Sequence, residues 1–165
     1  MNEYFDHFGE TNKNQLQRND TMIENDTIQL LRECDSGIQM GVSAIDDTMK
    51  YIKSDKLKKI LADNKQKHNS IANELVELLN IYHDEGKHPP LPVQAMSKLK
   101  SNVKLSFEGS DNAAAEYIFD GCAMGIKSLS RYLNQYAAAD ERSKNFTQRL
   151  ISLEQKLSHD MRGFL

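Results

Sequence analysis

Residues 35–45 read DSGIQMGVSAI and residues 119–129 read FDGCAMGIKSL, and the two stretches align without gaps. Gly37 matches Gly121, Met40 matches Met124 and Gly41 matches Gly125, at a constant offset of 84. Each stretch lies within a helical pattern, where a glycine costs about 1 kcal/mol relative to alanine. A chain that repeats this cost at the same spacing is read as carrying an internal repeat, and the repeated unit is a helical hairpin. The paired glycines form small-residue faces on the first and third helices. They allow another backbone to approach closely, or leave space for a bulky neighbour such as His68, Met40 or Met124. A phosphate cradle is excluded, because it needs its glycines ahead of a helix N-terminus rather than inside the helix.

Working outward from the first copy, Ile23, Thr27, Leu30, Cys34, Ile38, Gly41, Ile45, Met49 and Ile52 recur every three or four residues. This predicts a long amphipathic helix over 22–53. The segment KSDK interrupts it, and Ser54 or Asp55 caps a second helix over 56–86, with Leu57, Leu61, Asn64, His68, Ile71, Leu75 and Leu78 on its inward face. Gly86, Pro89 and Pro90 stop that helix. Around the second copy, a third helix over 111–137 turns Ala115, Ile118, Cys122, Gly125 and Leu129 inward, and a fourth over 140–164 follows with Phe146, Leu150, Leu153, Leu157 and Met161. A connector with a short helix inside 93–107 joins the two hairpins. Residues 1–20 lack apolar periodicity and are read as a mobile tail in which Tyr4, Phe5 and Phe8 are the candidates for docking. Residues 21–165 then form a single all-α domain, a four-helix bundle with a long crossover between helices two and three.

The 165 residues suffice for one core, and 21 Lys+Arg against 24 Asp+Glu, interspersed along the chain, disfavour a basic nucleic-acid face. No apolar run reaches membrane-spanning length, and the opening MNEYFDHFGE has no signal-peptide apolar region, so the expectation is a soluble cytoplasmic protein. The two cysteines match no zinc spacing and are read as reduced core filler.

The paired hairpins, the turn KSDKLKKIL, the mid-helix glycines and the pattern TIQLLRECDSGIQMGVSAI resemble the ferritin-like superfamily, and within it uncharacterised bacterial four-helix domains. The resemblance covers roughly 22–165 and implies the scaffold. Ferritin-like carboxylate proteins hold two metal ions with a Glu on each of two helices and a Glu-x-x-His on each of the other two. This chain departs from that set. Lys65 stands three residues before His68, Lys156 stands three before His159, and the one literal Glu-x-x-His, Glu85 to His88, falls in the terminator EGKHPP.

The candidate side chains are therefore few. His68 and Asn64 share an apolar face, and the position of the first turn brings His68 level with Gly41. Two readings stand: a buried pair satisfying its own hydrogen bonds, or an irregular metal site for iron or manganese using His68 and Glu154, with Glu33 or Glu116 as further donors. His83, Asp84, Glu85 and His88 are read as a solvated helix end, with a surface metal site as the alternative. No catalytic residue and no cofactor is expected. The favoured function is a non-catalytic bundle acting through protein contacts or an unidentified ligand, as a homo-oligomer of which a dimer is the simplest. The competing one is a metal-binding or oxidase-type protein.

Overall fold

The structure is a computed structural model that describes residues 3–86 and 110–165, with side chains from Gln15 onward in the first helix. The described residues form four α-helices and no strand: α1 Glu3–Met49, α2 Asp55–Ile81, α3 Asp111–Gln135 and α4 Glu141–Met161, closed by a 3-10 turn at Arg162–Phe164. None of these helices is long and apolar enough to cross a membrane. The connector helix expected inside 93–107, like the side chains of Tyr4, Phe5 and Phe8, lies outside the described residues.

Each helix after the first starts on a side-chain cap. Ser54 accepts from the Leu57 N–H, Ser110 from Ala113 and Asp140 from Ser143. Asp55, Asp111 and Glu141 place a negative charge in the first turn, where the exposed N–H groups favour it. Two of the helix starts also fasten the bundle ends. The Asp111 carboxylate accepts from the backbone N–H of Lys53 at 2.7 Å and of Ser54 at 3.0 Å, so the start of α3 is tied to the α1–α2 turn. At the opposite end, Ala138 N–H donates to Asp26 and Asp140 N–H to Thr27, which ties the α3–α4 turn to α1. Tyr82 donates to Asp140 there at 2.6 Å, and burial together with that carboxylate pushes its phenol up to about 12.

These ties, with the packing between them, fix the helix directions. One apolar cluster joins Ile45 near the end of α1 and Ile52 in the turn after it to Leu57 and Leu61 of α2, Ala115 and Ile118 of α3, and Leu157 and Met161 of α4. The other joins Leu31 and Cys34 of α1 to Leu75 and Leu78 of α2, Leu129 of α3, and Phe146 and Leu150 of α4. So α1 runs antiparallel to both α2 and α3, while α2 and α3 run parallel. The chain leaves α2 at one end of the bundle and enters α3 at the other.

Three expected boundaries move. α1 begins at Glu3 rather than residue 22, which replaces the expected tail over 1–20 by helix from residue 3. Residues 15–25 are exposed on every side, including Leu16 at 59 %, Met22 at 53 % and Ile23 at 41 %, so Ile23 is not the inward residue its spacing suggested. Over 47 residues α1 is roughly 70 Å long, and it outruns the other three helices. At its C-terminal end α1 stops at Met49, not at residue 53, because Tyr51 N–H turns back to Thr48. α2 stops at Ile81, not at residue 86. There His83 takes a left-handed φ of 54°, its N–H bonds to Asn80 O and the Asp84 N–H bonds to Leu79 O. This is the Schellman closure with histidine in the usual glycine place. Gly86 follows with φ 83°, where a side chain would strike the Asp35 carboxylate at 2.5 Å.

Candidate functional site

Between the two apolar clusters lies a polar layer to which all four helices contribute. α2 supplies His68, fully buried on the same face as Leu61 and Asn64. α4 supplies Glu154, which turns inward from the edge of its apolar stripe so that Oε1 meets His68 Nε2 at 2.8 Å. α1 and α3 supply Gly41 and Gly125. A Cβ at Gly41 would stand 3.1 Å from His68 Nε2, and one at Gly125 would stand 3.7 Å from Glu154 Cγ. The expected level of His68 and Gly41 is thus what the structure has: the glycine makes the space that the imidazole occupies. Gly125 does the same, less tightly, for Glu154.

The hydrogen bonding of the layer is nearly closed. His68 Nδ1 lies 3.2 Å from the Asn64 carbonyl, which can only accept, so Nδ1 donates. One further proton then lies between Nε2 and the Glu154 carboxyl group. Cys122 of α3 adjoins Glu154, and burial first, then the charge of this carboxylate, pushes the thiol far up. The Asn64 amide oxygen is buried and has no hydrogen-bond partner among the described residues. Cys34 lies in the neighbouring cluster, where burial raises its thiol to about 12 despite a 3.3 Å hydrogen bond with Thr147. Neither cysteine is placed to act as a nucleophile, because the thiolate is the reactive form.

The remaining candidates do not join this layer. Glu116 is exposed on the outer side of α3, and Glu33 is part-exposed on α1. Asp84 is engaged elsewhere: Arg32 donates to both its oxygens, at 3.0 and 2.6 Å, and the Gly86 N–H adds a third bond. His83 and Glu85 are exposed beside it, and His88 lies outside the described residues. Met40 and Met124 do not fill the glycine faces but project outward, 49 % and 71 % exposed. Gly37 and Gly121 face open space with nothing within 4 Å of an added Cβ, so only one glycine of each pair serves the interior.

The ferritin-like dinuclear set does not fit these residues. It requires inward carboxylates from α1 and α3, which carry the negative charge that two divalent ions need in a dry interior. Those helices present Ile38, Gly41, Cys122 and Gly125 at that level. Among the described residues no three His, Cys, Asp or Glu side chains come together in a way that could hold a metal ion. Sequence reasoning placed His68, Asn64 and Gly41 but left Glu154 open, and it did not connect Cys122 with Glu154. Comparison with known protein families, with characterised proteins and with solved structures finds no match to this chain.

Proposed function

We propose that this chain is a non-catalytic, ferritin-like four-helix scaffold that acts through protein contacts, with a polar layer in place of a dinuclear metal centre. The observation that carries this reading is the direct 2.8 Å bond between His68 and Glu154 beside Gly41 and Gly125. His68 is engaged with Glu154 and with the Asn64 carbonyl, and the Asn64 amide oxygen is left without a partner among the described residues. Such a layer fixes which helix faces meet and in what register, a known use of buried polar pairs. Support for the ferritin-like scaffold comes from the parallel course of α2 and α3, which places the end of α2 and the start of α3 at opposite ends of the bundle.

The competing reading is an irregular iron or manganese site, and the observation in its favour is that Glu154 does turn inward to meet His68. Emission spectrometry on protein purified without chelator or affinity metal separates the two. The proposed function expects no stoichiometric iron or manganese. One or two ions per chain, lost in His68→Ala, would reverse the ranking.

A further inference from the structure

The outer surface of α3 carries a charge pattern of which only Arg131 has a partner among the described residues. Glu116, Asp120, Ala123, Lys127 and Arg131 are all exposed and fall within roughly 80° of the helix circumference. Met124, 71 % exposed, borders them. Glu116, Asp120 and Lys127 have no ion-pair or hydrogen-bond partner among the described residues, while Arg131 lies over the Tyr132 ring at 5.0 Å and donates to its hydroxyl at 3.3 Å. The arrangement works against the isolated helix. Glu116 and Asp120 are like charges four residues apart, and so are Lys127 and Arg131, a spacing that is mildly destabilising. The helix dipole accounts for Asp111 in the first turn, but its effect fades within that turn and does not reach Asp120.

What the pattern does have is symmetry. Glu116 and Arg131 stand at equal distances on either side of the Ala123–Met124 bond, and so do Asp120 and Lys127. We propose that α3 pairs antiparallel with α3 of a second copy of this chain about a two-fold axis at Ala123 and Met124. In that pairing Asp120 faces Lys127 of the second copy and Glu116 faces its Arg131, each contact occurring twice. Ala123 and Met124 pack across the axis, a small residue against a flexible one. The occupant is a second copy rather than another protein because the stripe is complementary to itself. A basic or an acidic partner would match only half of it. This inference rests on the protein-contact reading above and names the contact.

The test is sedimentation equilibrium of the full chain at low and high salt. The wild type is expected to dimerise, more weakly as salt screens the pairs. Asp120→Lys and Lys127→Asp each set like charges opposite one another twice, and each is expected to weaken association by roughly a hundredfold. An equimolar mixture of the two variants regains the dimer through pairs of opposite sign brought together between unlike chains. A structural role confined to one chain would not produce that rescue. If either variant fails to fold by circular dichroism, Met124→Cys decides the same question. It is expected to form a disulfide-linked dimer under mild oxidation, with Cys34 and Cys122 buried and silent. A monomeric wild type, a dimer indifferent to both reversals, or no cross-link through Met124→Cys overturns the proposal. None of these outcomes alters the metal content, so the scaffold reading and the dimer stand or fall separately.

Discussion

Gly41→Ala sets two opposing effects against each other at one atom. Inside a helix, alanine is favoured over glycine by about 1 kcal/mol. At Gly37, one turn earlier on the same helix, an added Cβ meets nothing within 4 Å, so Gly37→Ala is expected to gain that amount in full. At Gly41 the same Cβ would lie 3.1 Å from His68 Nε2 and 3.4 Å from its Cδ2, and the ring must retreat by a few tenths of an ångström. The ring has little freedom to do so, because Nδ1 is held at the Asn64 carbonyl and Nε2 at Glu154. A hydrogen bond to a charged group contributes roughly 1.5–3 kcal/mol. Losing about 2 kcal/mol of it against a gain of about 1 leaves Gly41→Ala less stable than wild type by about 1 kcal/mol. Gly125→Ala is the internal control. Its Cβ would sit 3.7 Å from Glu154 Cγ, an ordinary contact, so it should behave like Gly37→Ala. Urea unfolding followed by circular dichroism gives the ordering. A Gly41→Ala protein as stable as Gly37→Ala would mean that the imidazole does not fill the space the glycine leaves, and the account of the polar layer would fail with it.

His68→Leu and Glu154→Met, made singly, should each cost roughly 3–5 kcal/mol because each strands a buried partner, whereas the double variant should recover most of that loss; additive costs in the unfolding cycle would contradict the pairing. The Arg32 guanidinium, through its hydrogen bonds, holds the Asp84 carboxyl below its usual range against the opposing effect of burial. A lowered acid contributes stability above the ordinary carboxylate range near pH 4 that is lost as pH falls through the native titration. Arg32→Met should therefore flatten the acid limb of a stability–pH curve, and an unchanged limb would remove the pair from the account. Cys34 and Cys122 should both resist a thiol reagent in the native protein and both react in urea, because burial raises each thiol; prompt native labelling of either would show that the core opens there.

How much of this was legible in the sequence follows from what apolar periodicity measures. It reports packing against a neighbour, not helicity. α2 was readable because Leu57, Leu61, Leu75 and Leu78 each press on another helix, and the tight turn at Lys53 and Ser54 then fixed the offset that sets His68 beside Gly41. The first part of α1 was not, because residues 15–25 are helical and exposed, with no face buried against another described helix to select apolar residues. The end of α2 was misplaced for a related reason: histidine at position 83 adopts the left-handed conformation that a sequence rule assigns to Gly86. Glu154 marks the limit at the site itself. It follows Leu153 at the margin of the α4 stripe, where a carboxylate can turn in or out with equal ease as far as spacing is concerned. What decides is the imidazole 86 positions away, on α2, and the two glycines that clear its path. The same holds outside. The symmetric charges of α3 are visible as letters, but only their exposure and, for Glu116, Asp120 and Lys127, the lack of partners among the described residues turn them from a solvated face into an argument for a second copy.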